Sequence, residues 1–222
     1  MTLSDFYVHI VPSLMFLKCK MLATTLRLLQ LSITICIFLL QYFTSKMPSN
    51  VEIKAKVKNF DAFLKLAKEI SGQEGTLLCQ TDTFFVCPNG RLKLRCFKNE
   101  GKGQLIFYTR PDQSGPKLSE FFFTTVNNPE ELKQTLTSAY GTRGEVRKRR
   151  TLFLVGQTRI HADEVDGLGT YMELEVQMQS GQSVEEGNKI AKDLMKKLGI
   201  EESDLITGAY MDLLLKKQQN IE

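Results

Sequence analysis

The feature that most constrains the fold of this chain is a set of short segments with charged residues at every second position. Five such segments occur, at residues 52–57, 91–95, 148–150, 159–163 and 173–176. Successive side chains of a β-strand point to opposite faces, so each segment places its charges on one face of a sheet. The chain is therefore predicted to contain several strands that each have one strongly charged face.

The charged faces have two interpretations. In the first they form the solvated outer surface of an antiparallel sheet, which is the common arrangement for any single segment. In the second they face a shared interior. The signs of the charges favour the second, because cations are concentrated in most segments and paired carboxylates in another, at Glu173 and Glu175. An outer surface gives no physical reason for such sorting.

Net charge and cysteine content limit the functional classes. The 222-residue chain carries a net charge of +4, of which residues 1–46 contribute +3 through four basic residues and one acidic residue. The remainder is nearly neutral, whereas general binding of nucleic acid requires a net basic surface. Its cysteines, Cys79, Cys87 and Cys96, have the spacing of neither a zinc site nor a disulfide framework. We expect no nucleic acid partner and a reducing, cytoplasmic location.

Residues 1–46 differ from the rest of the chain, because residues 22–43 are mostly apolar and basic residues precede and follow them. A membrane span needs about 20 apolar residues, and the stretch 28–43 is short for this. No clear small-residue cleavage site supports a signal peptide. The alternatives are a signal-anchor and an optional extension before a start at Met47. Membrane association is expected only if the extension is retained, and residues 47–222 are predicted to form the working domain.

The remaining sequence predicts many short strands and a few helices. Strands are predicted at 51–57, 76–86, 91–97, 105–109, 118–126, 145–155, 158–165 and 170–177. Helices are predicted at 60–71, 129–140, 183–198 and 203–217. This pattern is typical of an α+β fold with a closed or nearly closed antiparallel sheet. In such a sheet the apolar partners of the charges, such as Ile53 and Leu174, face outward under the helices.

If the sheet closes, its interior is lined by cations. The candidates are Lys54, Lys56, Arg91, Lys93, Arg95, Arg110, Lys148, Arg150 and Arg159. Buried like charges without compensation are strongly unfavourable, so such an interior requires a polyanion. Glu173 and Glu175 point the same way from one strand and, with Glu52, offer oxygen ligands for a hard divalent cation. Cations around phosphates together with Mg²⁺ or Mn²⁺ are the arrangement that phosphoryl transfer requires.

These segments resemble the CYTH superfamily of triphosphate tunnel metalloenzymes, which is named after class IV adenylyl cyclases and thiamine triphosphatases. Its first-strand motif, E-x-E-x-K, is matched by residues 52–56 with Lys54 in place of the second Glu. Further matches are residues 82–85, 91–95, 105–111, Ser119, 148–150, 159–169 and 173–175. The resemblance covers residues 51–217 and is closer to the cyclase-like branch. It implies an eight-stranded antiparallel tunnel with flanking helices, a divalent metal and a triphosphate-bearing substrate.

The resemblance also implies roles for individual residues. Catalytic roles are expected for Glu52, Lys56 and Arg159. Ligands for Mg²⁺ or Mn²⁺ are expected among Glu52, Asp163, Glu173 and Glu175. The nine candidate cations and His161 are expected to bind the triphosphate. The site is therefore predicted to combine a phosphate clamp with a carboxylate metal site.

Several of these residues have a second interpretation. His161 can carry a proton, but its cationic surroundings favour a hydrogen bond to phosphate or to a neighbour. Asp163 can support the metal or orient Arg159. Asp82 is expected to pair with the cations, and Tyr210 to pack with a satisfied hydroxyl. Each of these alternatives depends on which side chains meet inside the barrel.

Three functions are compatible with the sequence. The favoured one is a metal-dependent phosphohydrolase that acts on an organic or nucleoside triphosphate, such as ATP or thiamine triphosphate. The second is a class IV-type adenylyl cyclase, which converts ATP to cyclic AMP and pyrophosphate. The third is a non-catalytic binder of triphosphate or polyphosphate, suggested by Lys54, which removes one metal ligand and leaves a single metal as the expectation. An oligomer is compatible with all three.

Overall fold

The computed structural model describes residues 25–27, 29–34, 47–98 and 100–219. The chain divides into two units, Met1–Lys46 and Met47–Glu222. In the first unit the described residues are helical, and most of the predicted membrane anchor lies outside them. Among the residues described, none of the helices has the length and apolar character needed to cross a membrane.

The second unit is built on eight β-strands. They are β1 (Ser49–Lys56), β2 (Thr76–Phe85), β3 (Arg91–Phe97), β4 (Gly103–Thr109), β5 (Lys117–Val126), β6 (Thr142–Val155), β7 (Thr158–Val165) and β8 (Gly169–Gln177). They form a closed barrel in the order β1-β5-β4-β3-β2-β6-β7-β8. β1 closes the barrel, because it pairs antiparallel with both β5 and β8. The predicted eight-stranded antiparallel tunnel is confirmed.

The alternation of residues along the strands decides which side chains enter the barrel. On β1, Val51 and Ile53 are fully buried in an apolar cluster outside the barrel, whereas Glu52 and Lys54 line its interior. On β8, Leu174 belongs to the same outer cluster. Since a slip of one residue would exchange the two faces, the apolar positions fix the register of the charged ones. The hydrophobic core therefore lies between the barrel and its helices.

Four helices cover the barrel: α1 (Phe60–Ser71), α2 (Pro129–Tyr140), α3 (Val184–Lys197) and α4 (Tyr210–Gln219). α1 begins at Asn59, whose side chain accepts a hydrogen bond from the Ala62 amide, and ends at Gly72, which has a φ of 64°. α3 begins with a reciprocal capping box between Ser183 and Glu186. These local signals account for the agreement between the predicted and observed bounds of the two helices.

The C-terminal segment differs from the continuous helix predicted at 203–217. A short 3₁₀ turn, Glu202–Asp204, is followed by an extended stretch before α4 begins. In this stretch Leu205 forms a β-bridge with Ala55, and Gly208 has a φ of 74°. Backbone pairing with β1 and the left-handed glycine interrupt the helix. The segment consequently lies across the end of the barrel at which β1 finishes.

Candidate active site

The barrel encloses a cavity of about 280 Å³ with strongly charged walls. Its lining includes seven basic side chains, Lys54, Lys93, Arg95, Arg110, Lys148, Arg150 and Arg159. It also includes four carboxylates, Glu52, Asp82, Glu173 and Glu175. These lining residues leave a formal surplus of three positive charges. The surplus favours occupation of the cavity by an anion.

Asp82 on β2 is the carboxylate around which three cations gather. It accepts hydrogen bonds from Arg95 Nε at 2.7 Å, Lys148 Nζ at 2.9 Å and Lys93 Nζ at 3.2 Å. Burial alone would raise the pKa of Asp82, but these cations hold it well below its ordinary value. Burial lowers the pKa of Lys148 to about 7 against the attraction of Asp82. The predicted pairing of Asp82 with the cations is confirmed.

Arg150 on β6 is held by Asp163, a buried residue of β7 that does not line the cavity. Its Nε and one terminal nitrogen donate to the two Asp163 oxygens, each at 2.6 Å, and Tyr210 Oη donates to Asp163 Oδ2 at 2.8 Å. Burial opposes ionisation, but Arg150 lowers the pKa of Asp163 to about 2. Both carboxylate oxygens are thus engaged. Asp163 is not a member of the group of potential metal ligands in the cavity, and its expected role as a metal ligand stays a prediction. The arginine that it orients is Arg150 rather than Arg159.

Lys54 rather than Lys56 is the inward-facing lysine at the end of β1. Lys54 is buried and its Nζ lies 2.9 Å from Glu173 Oε1, whereas Lys56 is exposed and outside the cavity lining. The structure does not bring Lys56 into the cavity, because the strand leaves the interior before that position, and the phosphate-binding and catalytic roles expected of Lys56 stay untested. The E-x-E-x-K pattern fits the inward residues when it begins at Asn50. The departure is then Asn50 in place of the first Glu, and Lys54 supplies the lysine.

Glu52, the middle position of this pattern, faces the cavity beside β8. Its Oε2 accepts a hydrogen bond from Arg110 NH1 at 2.7 Å, and Arg110 NH2 donates to the Gly208 carbonyl at 2.8 Å. Burial and the nearby charge of Glu173 raise the pKa of Glu52. Glu52 is therefore a carboxylate whose affinity for a proton is increased by its position.

Two of the four expected metal ligands lie beside His161. One potential ligand atom each from His161, Glu173 and Glu175 lies within 4.8 Å of the others. His161 Nδ1 is 3.7 Å from Glu175 Oε1 and 3.9 Å from Glu173 Oε2. This group of nitrogen and carboxylate donors fits a divalent cation. Glu52, an expected ligand, is not a member of the group and is paired with Arg110.

Two further arginines occupy different positions relative to the cavity. Arg159 lines it and contacts Glu175 Oε2 at 2.8 Å, with its side chain 31% exposed. Arg91 is not part of the lining and instead contacts Asp112 at 2.7 Å and Asp212 at 3.2 Å. The expected phosphate-binding role is thus compatible with the position of Arg159, but the interior clamp does not include Arg91.

Lys117 on β5 is a buried cation that the sequence interpretation missed. Its Nζ donates to the Gln113 carbonyl at 2.8 Å and lies 3.5 Å from the Ile206 carbonyl. Burial and the charge of Arg110 lower the pKa of Lys117 to about 8. The available signal was its position two residues before Ser119, which lines the cavity from the same strand. Lys117 ties β5 to the segment that crosses the barrel end.

The two ends of the cavity have different chemical character. Ala209 and Tyr210 line it at the end crossed by the C-terminal segment. Toward the opposite end the lining includes Leu78, Phe97, Ile106, Phe121, Phe123 and Leu152. Phe123 remains 56% exposed there, and its ring stacks with that of Phe121 at a centroid distance of 6.4 Å. A cationic interior is thus entered through an apolar, aromatic opening.

Comparisons with known proteins found relatives in sequence and solved structures with a similar fold. A curated relative, an adenylate cyclase, CyaB, from Aeromonas hydrophila, is 23% identical over 78% of this chain and 91% of its own. The PH1012 protein from Pyrococcus horikoshii OT3 is 25% identical with a TM-score of 0.66, covering 74% of this chain and 98% of its own. A candidate adenylate cyclase from Vibrio parahaemolyticus has the same fold, with 21% identity, a TM-score of 0.63 and coverage of 76% and 99%.

Residues 49–210 match the CYTH domain, which accounts for most of the chain and all eight strands. Proteins with this domain are in general metal-dependent enzymes that act on triphosphates. The expected resemblance is confirmed by this match and by the relatives above. The chain therefore belongs to the CYTH domain family.

Proposed function

We propose that this protein is a metal-dependent phosphohydrolase that cleaves an organic or nucleoside triphosphate inside the barrel. The observation that carries the proposal is the formal surplus of positive charge on the cavity lining, which is three for the lining residues and two when Asp163, paired with Arg150 behind them, is counted. Because buried like charges repel strongly, a bound polyphosphate relieves a strain that neither water nor a neutral ligand would relieve. Hydrolysis is favoured because it requires only a phosphate clamp and a water molecule.

Different residues of the cavity are proposed to bind the phosphates, to position the binding residues and to hold the metal ion. Lys93, Lys148 and Arg150 bind phosphate oxygens and stabilise the charge of the transition state, with Asp82 and Asp163 keeping them in position. A divalent ion bound at the carboxylates of β8 would neutralise phosphate oxygens and lower the pKa of the attacking water. In the proposed reaction the water oxygen bonds to the terminal phosphorus while the bond from that phosphorus to its bridging oxygen breaks, which gives phosphate and the corresponding diphosphate.

In the proposed reaction Glu52, which lines the cavity, accepts the proton of the attacking water. A general base works best when its pKa is close to the operating pH, and burial together with Glu173 moves the pKa of Glu52 in that direction. Arg110 contacts the Glu52 carboxylate and limits its rotation. Glu52 and Arg159 remain the proposed catalytic residues. Lys56 is not among them, because it lies outside the cavity lining.

The aromatic opening supports an organic substrate rather than inorganic triphosphate. Phe97, Phe121 and Phe123 line the cavity on the side away from the C-terminal segment, so the part of a substrate beyond its phosphates would contact them there. Stacking of a base on an aromatic side chain contributes about 1–3 kcal/mol. A planar heterocycle is therefore the proposed non-phosphate part of the substrate.

Adenylyl cyclase activity is the second candidate, favoured by the curated relative named an adenylate cyclase. In that reaction the ribose 3′-hydroxyl attacks the α-phosphorus and pyrophosphate leaves. The same cations would bind the triphosphate, so the two reactions differ in which phosphorus is attacked. The products distinguish them directly.

The experiment is to incubate the full chain with ATP, thiamine triphosphate or inorganic triphosphate, plus Mg²⁺ or Mn²⁺, and to resolve the products. Phosphate release supports the hydrolase, and cyclic AMP with pyrophosphate supports the cyclase. Tight binding of triphosphate without turnover would instead indicate a non-catalytic binder. The absence of both turnover and binding would refute the proposal.

Two variants with the same change in net charge make the test specific. Lys93→Met removes a cation from the cavity, while Asp82 keeps Arg95 and Lys148 as partners. Arg149→Met removes a cation from the outer face of β6, where the Arg149 side chain is 63% exposed. We expect the first variant to lose activity and the second to retain it. Equal loss in both would mean that general charge, rather than the cavity, attracts the substrate.

A further inference from the structure

His161 is a buried imidazole that the proposed phosphate clamp leaves without a role. The residue is 4% exposed, and among the residues that the structure describes none lies within hydrogen-bond distance of its Nδ1. A buried polar nitrogen without a partner destabilises the folded state, because it has lost its hydrogen bonds to water. Such a group in a functional cavity calls for a ligand that the protein itself does not supply.

The surroundings of Nδ1 indicate the sign of that ligand. Carboxylate oxygens of Glu175 and Glu173 lie 3.7 and 3.9 Å away, too far for hydrogen bonds. Glu173 Oε1 contacts Lys54 at 2.9 Å and Oε2 contacts Arg150 at 2.8 Å, so a metal ion at Glu173 would share this carboxylate with the two cations. Glu175 Oε2 contacts Arg159, whereas Oε1 is the oxygen that faces His161. A neutral imidazole has a nitrogen lone pair, so these atoms together surround a place for a cation.

The spacing of the three donors agrees with a metal ion. Octahedral ligands at about 2.1 Å from a metal lie about 3 Å apart when adjacent and about 4.2 Å apart when opposite. The donor atoms of the group lie within 4.8 Å of one another, so small side-chain rotations bring them into this range. His161 and Glu173 are paired residues on β7 and β8, and Glu175 follows on the same face of β8. The donors therefore stand on rigid strands.

We propose that His161 is a direct metal ligand, acting with Glu173 and Glu175, and that it makes the site selective for Mn²⁺-type transition metals over Mg²⁺. Mg²⁺ prefers oxygen ligands, whereas imidazole nitrogen binds first-row transition metals better. This inference rests on the proposed function in that the ion serves the triphosphate site. It differs from the carboxylate site predicted from the sequence, in which His161 contacts phosphate.

The test measures metal coordination rather than turnover. Mn²⁺ is added to the full chain, alone and with a methylene-bridged analogue of inorganic triphosphate that contains no nitrogen. Pulsed electron paramagnetic resonance then detects coupling of the Mn²⁺ electron spin to ¹⁴N nuclei. The chain has two histidines, His9 and His161. We expect imidazole coupling in the wild type and in His9→Gln, and its absence in His161→Gln.

Metal selectivity provides a second measurement. Removal of a residue that only hydrogen-bonds to a metal ligand weakens metal affinity about 10- to 100-fold, so loss of a ligand is expected to weaken Mn²⁺ by at least about tenfold. The affinity for Mg²⁺, measured by competition with Mn²⁺, should change much less in His161→Gln. Circular dichroism checks that His161→Gln is folded. If this variant does not fold, the spectra of the wild type and of His9→Gln still test whether a histidine binds Mn²⁺.

Lack of ¹⁴N coupling in the wild type under both conditions would overturn the inference, as would equal weakening of Mn²⁺ and Mg²⁺. Failure of the proposed function is distinguishable from this. A chain that shows imidazole coupling but no triphosphate turnover would retain the metal site and lose the phosphohydrolase. A chain that hydrolyses triphosphate but shows no imidazole coupling would support the phosphohydrolase and refute His161 as a metal ligand.

Discussion

Asp82→Asn is the perturbation that best tests the charge balance of the cavity. Asp82 is 1% exposed, and it is the carboxylate that Lys93, Arg95 and Lys148 share. Removal of one partner from a buried ion pair typically costs about 3–5 kcal/mol. Here Lys148, with a pKa already lowered to about 7, can release its proton and relieve part of the repulsion. We therefore expect a loss of about 3 kcal/mol in the free energy of unfolding.

Urea unfolding of the full chain, followed by circular dichroism at pH 7, measures this loss. For a domain of this size about 3 kcal/mol corresponds to a decrease in Tm of roughly 6–12 °C. Glu164→Gln is the matched control, because its pair with Arg149 is exposed and the two atoms lie 3.7 Å apart. The control should change stability by less than about 0.5 kcal/mol. A loss below about 1 kcal/mol in Asp82→Asn would refute the reasoning.

The same variant predicts how stability responds to ligand and to pH. Inorganic triphosphate should raise the Tm of Asp82→Asn more than that of the wild type, because the anion replaces the missing negative charge. An equal or smaller increase would contradict a clamp built around Asp82.

Since the pKa of Asp82 is lowered in the folded state, its contribution to the stability of the wild type is complete above about pH 4 and is lost as the pH falls through the folded pKa.

Three other changes test separate parts of the cavity. Because burial lowers the pKa of Lys148 to about 7, triphosphate binding measured by calorimetry should weaken between about pH 6 and pH 9, and Lys148→Met should reduce that dependence to the part contributed by Lys117, whose pKa is lowered to about 8. Tyr210→Phe removes the hydrogen bond to Asp163 and should cost about 1.5–3 kcal/mol in urea unfolding, whereas Tyr171→Phe should cost less. Phe123→Ala should raise the KM for an organic triphosphate by the equivalent of about 1–3 kcal/mol and leave that for inorganic triphosphate unchanged. A uniform effect on both substrates would argue against stacking at the opening.

Local patterns in the sequence were sufficient to predict the inward face of most strands. On β3, Lys93 and Arg95 alternate with Leu94, and the structure places the two cations inside. The helix bounds followed equally local signals, such as Asn59 and Gly72 at the ends of α1. These predictions succeed because a period of two or 3.6 residues is set by backbone geometry alone.

Local patterns could not predict where a strand leaves the cavity. Lys54 and Lys56 have the same parity on β1, yet one is buried and the other exposed. Arg91 shares parity with Lys93 but pairs with aspartates outside the lining. Lys117 was missed because no alternating charges surround it. Each position depends on strand stagger and on the C-terminal segment, which are properties of the closed barrel.

The sequence by itself determined that the chain has antiparallel strands with one charged face each and a closed or nearly closed sheet, and its motifs were sufficient to indicate the CYTH family, which implies the eight-stranded barrel. The tertiary structure alone decided how the charges are partnered. Asp163 contacts Arg150, and His161, which was expected in the phosphate clamp, lies beside Glu173 and Glu175. The physical reason is that alternation fixes only the direction of a side chain. Its neighbours across the cavity are fixed by pairings between strands that are distant in sequence.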